Sequence, residues 1–363
     1  MKRAIIMCMQ MNAIEVSPAR YQLIKEMKER GIEIYLFLCG RLNIEARKIR
    51  KDIRYFLNTD GMNNKEIRRK IRQYNPDIVI AFTYEDTEII YSLPLQLLST
   101  DFYYFNLEIN SFDYYLQPYK KHTWNYWIKK IKYPFSVIKE SFYTKNCELM
   151  VIQDETRKKI AQRYYISNKE TIFIPNSYIF DSNIEFHADR SGIIYSGGAR
   201  KKYLIDYLEG FYAVTSVPIV FSGSFDDWSE NEIRSLHRTN PNIRIEKQIL
   251  ECSEYTKYLQ KYAVGLICYS KSDDDNINYI GLSSGKFFKH LSLGQPVIVI
   301  GHSRISYEVK RYGLGIVVED ALQIEYAYTK IMERYNYYQQ NVIQTYQDKY
   351  DFKKVIAPFL DKL

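Results

Sequence analysis

Short apolar runs alternate with longer amphipathic segments along almost the whole chain. The runs have the length of buried β-strands, and the segments have the length and the 3.6-residue period of helices. This alternation is typical of parallel sheets in which each strand is followed by a helix. The sequence therefore predicts an α/β architecture.

The first half contains six apolar runs that predict strands. They are Ala4–Met9, Ile32–Leu38, Asp77–Phe82, Phe102–Phe105, Leu149–Ile152 and Thr171–Ile174. Ser17 and Pro18 are a favourable N-cap and first-turn pair, and they predict a helix that ends at Gly31. Two further helices are predicted over Lys65–Tyr74 and from Asp154 onward.

A second alternating series follows a polar, aperiodic stretch between Tyr178 and Arg190. Its predicted strands are Gly192–Tyr195, Pro218–Phe221, Ile243–Ile245, Val264–Cys268, Pro296–Ile300 and Gly315–Val318. Its predicted helices are Tyr203–Tyr212, Glu230–His237, Ser253–Tyr262, Ser284–Ser292 and Ser306–Arg311. We therefore expect domains at 1–178 and 191–335, and a helical tail at 336–363 that packs back on the first domain.

Two doubly wound, Rossmann-like domains in tandem are the predicted fold class. Ligands of such sheets bind at the carboxyl ends of the strands, so we expect the two domains to face each other across a cleft. The length of the chain agrees with two domains, because 363 residues are more than one hydrophobic core usually serves.

Composition excludes two other classes of protein. Hydrophobic residues make up 46% and charged residues 26% of the chain, which excludes general disorder. No apolar run reaches the roughly 18–20 residues of a membrane-spanning helix. The start resembles a signal peptide, but its apolar stretch stops at Gln10 without a small-residue cleavage site. We expect a cytoplasmic protein.

Positive charge is concentrated in the first half of the chain. Residues 1–170 carry 29 Lys and Arg against 20 Asp and Glu, whereas the whole chain has a net charge of +8. Between Tyr114 and Lys145, seven lysines stand against one Glu and are interleaved with Trp, Tyr and Phe. This mixture suits an anionic membrane surface, because lysines meet lipid phosphates and aromatic rings settle at headgroup depth.

Other interpretations of this basic aromatic stretch stay open. The same composition could bind single-stranded nucleic acid, although no nucleic-acid motif is present, or it could form a solvated helix whose rings pack on its own domain. We expect no nucleic-acid partner, and we take the inner face of the membrane as the place of contact. The residues predicted to contact membrane or acceptor are Lys120, Lys121, Trp124, Trp127, Lys129, Lys130 and Lys132.

The most informative motif lies between Asn278 and Ile298. A polar loop leads to Ser283-Ser284-Gly285, which opens a helix carrying Lys286. Backbone N–H groups at a helix start, hydroxyls and a lysine together form an anion site. An ordinary capped helix would explain the serines equally well.

The run from Gly285 to Ile298, GKFFKHLSLGQPVI, resembles the helix that lines the nucleotide-sugar site of GT-B glycosyltransferases. Further segments resemble that family in order and spacing: 149–157 with 172–176, the glycine loop at 193–202, 220–223, 264–269 and 312–316. The resemblance covers residues 149–320, and it extends to the first half by architecture alone.

The resemblance implies a nucleotide-diphosphate sugar as donor, linked to UDP or GDP, and no separate cofactor. In that family the Arg and Lys of the glycine loop meet the donor diphosphate. The donor-site residues expected here are Gly197, Gly198, Arg200, Lys201, Ser222, Gly223, Ser283, Ser284, Gly285, Lys286 and Lys289.

One departure from the family pattern affects the expected mechanism. Retaining members of the neighbouring glycosyltransferase family 4 carry two Glu separated by seven residues, and these positions hold Gly281 and Lys289 here. Retention of configuration therefore cannot be assumed. The chain also has no metal-binding Asp-x-Asp at a strand end, and we interpret Asp273–Asp275 as a solvated turn. We expect a metal-independent enzyme whose cations stabilise the leaving group.

Carboxylates at strand ends of the first domain are the candidates for a general base. They are Glu15, Glu85, Asp86 and Glu108. Such a base has to come within about 3 Å of the acceptor hydroxyl. Asn12 is a further polar group at a strand end, and His122 is a weaker candidate.

The sequence thus predicts a glycosyltransferase that moves a sugar to a hydroxyl of a glycan or a lipid-linked acceptor, in surface polysaccharide synthesis such as capsule or lipopolysaccharide. Two alternatives stay open. One is a nucleotide-sugar epimerase of the same fold, and the other is a non-catalytic protein that binds nucleotide or glycan in a membrane assembly. Motifs of nucleotide-triphosphate loops, nicotinamide dehydrogenases and serine hydrolases are absent from the sequence.

Overall fold

Two units, each held together by its own contacts, make up the chain. The computed structural model describes residues 1–8, 18–39, 46–82, 100–116, 121–164, 169–180, 190–214, 216–246, 252–272, 274–301 and 303–363. Unit 1 comprises Met1–Asn176, Asp274–Asn276 and Lys353–Leu363, and unit 2 comprises Ser177–Asp273 and Ile277–Phe352. In the described ranges, no helix has both the length and the apolar character needed to cross a membrane.

Unit 1 is built on a parallel sheet. Its strands are β1 (Arg3–Cys8), β2 (Glu33–Leu38), β3 (Tyr55–Asn58), β4 (Ile78–Ala81), β5 (Asp101–Phe105), β6 (Leu149–Ile152) and β7 (Thr171–Phe173). They pair in the order β3-β2-β1-β4-β5-β6-β7. In this register Ile5 lies between Tyr35 and Val79. The central strands are buried on both faces, as their unbroken apolar runs require.

The helices of unit 1 follow its strands. They are α1 (Pro18–Glu29), α2 (Asn64–Tyr74), α3 (Phe112–Leu116), α4 (Trp124–Asn146) and α5 (Glu155–Ala161), with a 3₁₀ turn at Ala46–Lys51. A capping box starts α2, because the Asn63 side chain accepts from the Glu66 N–H while Glu66 accepts from the Asn63 N–H. The helix ends at Asn75, which adopts the left-handed conformation.

Unit 2 is built on a second parallel sheet. Its strands are β8 (Ile193–Ser196), β9 (Ile219–Ser222), β10 (Ile243–Glu246), β11 (Val264–Cys268), β12 (Val297–Ile300) and β13 (Gly315–Val318). They pair in the order β10-β9-β8-β11-β12-β13. The strand order therefore reverses between β8 and β11. In open α/β sheets, ligands bind beyond the carboxyl ends of the strands at this reversal.

The helices of unit 2 vary in length from 4 to 13 residues, and the one at Asp275–Asn278 begins on residues of unit 1. They are α6 (Lys201–Leu204), α7 (Leu208–Tyr212), α8 (Asp227–Thr239), α9 (Cys252–Leu259), α10 (Asp275–Asn278), α11 (Gly285–Ser292), α12 (Ser303–Tyr312), α13 (Ile324–Glu333) and α14 (Tyr335–Thr345). Turns of 3₁₀ geometry lie at Ile205–Tyr207, Gly281–Ser283 and Ala321–Gln323, and a π turn covers Tyr346–Tyr350.

The final helix, α15 (Phe352–Leu360), returns the chain to unit 1. Phe359 is fully buried and makes edge-to-face contacts with the rings of Tyr103 (5.4 Å between centroids) and Phe105 (4.9 Å) on β5. Near it, Arg30 forms an ion pair with Asp361, and the Tyr103 hydroxyl donates to the carbonyl of Lys362. The last residues are thus part of the packing of unit 1.

The structure confirms the predicted α/β fold with two doubly wound domains. It also adds β3, which the sequence analysis missed because Tyr55–Asn58 is a short, partly exposed edge strand. The predicted helix over Tyr203–Tyr212 is wrong as a continuous element, since it is broken into α6, a 3₁₀ turn and α7. At the break the Asp206 N–H donates to the Ser270 hydroxyl (3.0 Å) instead of continuing the helical ladder.

Candidate functional site

Two glycine turns meet at the carboxyl ends of β8 and β9. Gly197 adopts φ +89° and Gly223 adopts φ +133°, both in the region that favours glycine. The Gly197 N–H donates to the carbonyl of Ser222 (2.9 Å), and a Cβ at Gly223 would lie 2.3 Å from the Gly197 oxygen. A side chain at Gly223 would clash with this backbone, and the positive φ disfavours one at Gly197, so backbone lines the mouth of the β8–β11 crevice. Ser222 itself is fully buried.

Lys286, in the first turn of α11, points into this mouth. Its aliphatic stem packs on Gly197, where a Cβ would lie 3.5 Å from the lysine Cε. Its Nζ donates to the carbonyl of Gly198 (2.8 Å) and to the Tyr195 hydroxyl. Burial, with a smaller contribution from the nearby Arg200, lowers the pKa of Lys286 to about 7. The site therefore holds an ammonium group that is close to losing its proton at neutral pH.

Three tyrosines surround the Lys286 ammonium group. Its Nζ lies 3.9 Å from the ring centroid of Tyr195, 5.0 Å from that of Tyr203 and 5.5 Å from that of Tyr269. Rings at this distance attract a cation through their negative faces. The sequence analysis assigned none of these tyrosines to the site. The signal was present, however, because Tyr195 lies in β8 and Tyr269 directly follows β11.

The serines that open α11 shape the turn. Ser284 caps the helix by accepting from the Phe287 N–H (3.3 Å), and its hydroxyl also bonds to the Tyr269 hydroxyl (2.9 Å). Ser283 donates to the carbonyl of Ile280 (2.7 Å). These contacts fix the positive end of the α11 dipole, at Gly285, beside the Lys286 side chain.

Arg200 and Lys201, the two cations of the glycine loop that were expected in the donor site, differ in their surroundings. Arg200 is partly buried and donates to the backbone carbonyl of Ser224 (3.1 Å) and to its hydroxyl (3.2 Å). Lys201 is exposed, its Nζ lies over the Trp228 ring (5.4 Å), and its backbone N–H donates to Asp226. Gly198 lies close to Arg200, so Arg200 belongs to the same cluster as Lys286.

Lys289 and His290 lie on other faces of α11. The Nζ of Lys289 donates to the Thr256 hydroxyl (2.7 Å) and lies over the Tyr178 ring. His290 is fully buried between Ser196 (2.9 Å from Nε2) and Gln295 (2.8 Å from Nδ1). The Gln295 amide nitrogen donates to two backbone carbonyls, so its oxygen accepts from His290 Nδ1–H. Burial lowers the pKa of His290 to about 4, which keeps the ring neutral.

Glu108, in unit 1, is an exposed carboxylate on a tightly held loop after β5. Asn276 accepts from the Ile109 N–H (2.7 Å) and donates to the Ile109 carbonyl (2.8 Å). On the other side of Glu108, the buried Arg157 donates to the Leu107 carbonyl (3.0 Å) and to the Asn276 amide oxygen (3.0 Å). The residues flanking Glu108 are thus fixed by side chains. The sequence analysis missed both Arg157 and Asn276.

The remaining base candidates, Glu15, Glu85 and Asp86, lie outside the described residues, as does Asn12. Of the acidic cluster, Asp274 accepts from the Asn276 N–H (2.9 Å), and Asp275 accepts from the Tyr164 hydroxyl. Among the residues that the structure describes, no group of three or more His, Cys, Asp or Glu is placed to hold a metal ion.

From Trp124 onward, the basic aromatic stretch forms the long helix α4. Lys121, Trp124, Trp127, Lys130 and Lys132 are exposed, whereas Lys120 lies outside the described residues. Lys129 is partly buried, with its Nζ 5.8 Å from the centroid of the Tyr115 ring. The rings of Trp124 and Trp127 therefore do not pack inward, whereas the Tyr133 ring contacts Phe112 and Tyr115 of its own unit.

Comparison with solved structures identifies the fold. HepE of Anabaena, in complex with UDP, aligns over all of both chains with a TM-score of 0.65 and 10% identity. Sucrose-phosphate synthase of Thermosynechococcus elongatus aligns over 99% of this chain and 97% of its own, with a TM-score of 0.70 and 10% identity. The chain has the GT-B fold.

Further GT-B neighbours extend this comparison. The glycosyltransferase WaaG, involved in lipopolysaccharide biosynthesis, aligns over 99% of this chain and 98% of its own, with a TM-score of 0.61 and 11% identity. No family model and no curated protein sequence matches the chain. Because the identities are this low, the likeness establishes the fold and nothing more.

Proposed function

We propose that the chain is a glycosyltransferase that moves a sugar from a nucleoside diphosphate to a hydroxyl acceptor. The observation that carries the proposal is the Lys286 cluster, in which an ammonium group, a helix start and two glycine turns converge at the β8–β11 crevice. Such a crevice binds an anionic ligand through backbone N–H groups and cations. HepE, which shares the fold, has been solved with UDP and with UDP-glucose, so UDP-linked sugars are the first donors to test.

In the proposed reaction the acceptor oxygen attacks the anomeric carbon, and the bond from this carbon to the diphosphate oxygen breaks. The diphosphate leaves with the bonding electron pair. Lys286, Arg200 and the start of α11 would stabilise the charge that develops on it. The acceptor proton would pass to a carboxylate of unit 1, and we assign this role to Glu108. Direct attack of this kind inverts the configuration of the sugar.

We further propose that transfer needs neither a metal ion nor a separate cofactor. The cations around Lys286 supply the positive charge that a divalent ion would otherwise provide to the leaving group. Turnover that persists at full rate in a chelator such as EDTA would support this mechanism, and loss of turnover would contradict it.

We infer that the acceptor is a glycan or a lipid-linked glycan of surface polysaccharide synthesis, and that the enzyme works in the cytoplasm. Two neighbours in fold are WaaG, a glycosyltransferase involved in lipopolysaccharide biosynthesis, and WaaB, a lipopolysaccharide outer core galactosyltransferase. Lysines and aromatic residues exposed on α4 also suit an acceptor that is held in a membrane.

A nucleotide-sugar epimerase is the second candidate. UDP-GlcNAc 2-epimerase of Neisseria meningitidis aligns over all of both chains with a TM-score of 0.56 and 14% identity. An epimerase would convert a free nucleotide sugar into its epimer without any acceptor. A transferase would instead release nucleoside diphosphate, slowly when water takes the sugar and faster when a hydroxyl acceptor takes it.

Calorimetric titration with UDP and GDP, followed by an assay of UDP-glucose and a panel of other nucleotide sugars, tests the proposal. We expect binding of one nucleoside diphosphate and its release from the matching sugar donor. Binding without turnover would favour a non-catalytic protein, and an epimerised donor would favour the epimerase. Absence of nucleotide binding would contradict the proposed site itself.

A further inference from the structure

Helix α4 differs from an ordinary surface helix, because a row of large apolar side chains faces solvent and a row of polar side chains faces the protein. Six large apolar side chains are between 46% and 78% exposed. They form what we call the apolar stripe: Trp124, Trp127, Ile131, Phe135, Ile138 and Phe142. A helix turns by about 100° per residue, so these positions project within an arc of roughly 80°.

The opposite side of α4 is polar and buried. Ser136, Glu140 and Thr144 are each at most 5% exposed. Glu140 accepts from the Tyr104 hydroxyl (2.7 Å) on β5, and the Tyr133 hydroxyl donates to the Asn110 carbonyl (3.2 Å). Rotating the helix to bury the stripe would break these bonds and turn Glu140 toward solvent. The outward orientation of the stripe is therefore set by the packing of unit 1.

Lysines border the stripe along both sides. At a rotation of about 100° per residue, Lys130 and Lys145 lie along one border of the stripe. Lys132 and Lys139 lie along the other border. The Nζ of Lys130 lies 4.9 Å from the Trp127 ring centroid. The one acidic residue of α4 is Glu140, on the buried side. The exposed face of α4 is thus an apolar strip within a purely positive frame.

We propose that the apolar stripe is the surface by which this chain docks on an anionic lipid bilayer. Contiguous exposed apolar residues mark interaction sites, and lysine borders select a negatively charged partner. A bilayer supplies both, since its acyl region takes the stripe and its phosphates meet the lysines. The proposal adds Ile131, Phe135, Ile138 and Phe142 to the contact. It goes beyond the proposed reaction, because docking requires no donor.

Co-sedimentation with vesicles tests the docking surface on the full chain. Wild type should bind phosphatidylcholine vesicles that contain phosphatidylglycerol and should stay in solution with phosphatidylcholine alone. The triple variant Ile131→Ser, Phe135→Ser, Ile138→Ser should bind at least about tenfold more weakly, since three apolar anchors are lost. These side chains are exposed, so circular dichroism should match that of wild type.

The lysine frame is tested by a second variant with a matched control. Lys130→Gln, Lys132→Gln, Lys139→Gln should lower the affinity for anionic vesicles on the order of a hundredfold. The control, Lys28→Gln, Lys310→Gln, Lys354→Gln, removes the same charge at exposed positions elsewhere and should bind like wild type. Raising salt from about 0.1 M to about 1 M should weaken the binding of wild type to anionic vesicles, and it should affect the variant of Lys130, Lys132 and Lys139 less.

Tryptophan fluorescence shows whether the stripe enters the bilayer. Two of the three tryptophans of the chain, Trp124 and Trp127, lie in the stripe, so anionic vesicles should shift the emission to the blue. A wild-type chain that ignores anionic vesicles would overturn the proposal. Binding that the Ser variant retains in full would do the same. A stripe that instead joins two copies of the chain, seen as a dimer lost in the Ser variant by ultracentrifugation, would also overturn it.

Discussion

Lys286 is the residue whose ionisation matters most to the proposed site. Its pKa is lowered to about 7 by burial and by Arg200. A bound diphosphate would favour the charged form and raise this pKa, so binding would take up a proton above pH 7. Affinity should therefore be greatest below pH 7, and it should fall as the pH rises through 7 toward the pKa of the complex.

Lys286→Met tests this linkage. At pH 6 the variant should bind UDP or GDP more weakly by about 1–3 kcal/mol, the scale of a charge-assisted hydrogen bond. The difference from wild type should shrink as the pH approaches 9, because wild type then has to acquire a proton in order to bind. Calorimetry in buffers of different ionisation enthalpy measures this proton uptake. Equal affinities for the two proteins at pH 6 would contradict the site.

Lys289→Met is the matched control at the residue scale. Its ammonium group bonds to Thr256, whereas that of Lys286 bonds to Gly198 and Tyr195. The substitution removes the same charge from the same helix. If Lys286 acts through the glycine turns, the control should change affinity less and should keep the pH dependence of wild type.

At the scale of elements, the loop after β5 shows how side chains can hold a backbone in place. Asn276 satisfies both the N–H and the C=O of Ile109, while Arg157 holds the carbonyl of Leu107. A loop fixed on both sides holds the backbone of the exposed Glu108 in one orientation. Such orientation is what a general base requires, because displacement by about 1 Å can cost on the order of a hundredfold in rate.

Asn276→Ala should therefore lower kcat by roughly 10- to 100-fold and leave the affinity for nucleoside diphosphate unchanged. Asn276→Asp keeps the acceptor for Ile109 and Arg157, and it should recover part of the rate. Asn278→Ala is the control, since Asn278 bonds to the backbone of Ser272 instead. In a Glu108→Gln background the Asn276→Ala substitution should have little further effect. Losses that simply multiply would mean that Asn276 does not act through Glu108.

Local sequence signals explain which elements and site residues could be predicted. Lys286 was predicted because a helix start leaves a signature within a few residues, whereas Gly197 and Gly223 were expected from the resemblance to GT-B glycosyltransferases. Asn276 and Tyr203 could not be predicted from the sequence, since their roles come from contacts with residues that are distant in the sequence. The break before α7 was missed for the same reason, because it depends on a hydroxyl from the loop after β11, Ser270.

At the scale of the whole molecule, the chain passes between the units more than once. Asp274–Asn276 and Lys353–Leu363 belong to unit 1, although the chain on the amino-terminal side of each belongs to unit 2. The stability of unit 1 therefore depends on residues that follow unit 2 in the sequence. Phe359 is the clearest example, because its side chain packs from α15 against the aromatic residues of β5.

Phe359→Ala should destabilise unit 1 by about 3–5 kcal/mol, the usual cost of emptying a buried phenylalanine position. Hydrogen exchange measured by mass spectrometry resolves the two units. Peptides covering β1, β4 and β5 should exchange faster in the variant, and peptides covering β8, β11 and β12 should keep their protection. Tyr326→Ala, at a side chain that is 65% exposed on α13, should change neither set. Equal loss of protection in both sheets would show instead that the units unfold as one, whereas unchanged protection of β5 would mean that the final helix contributes little to unit 1.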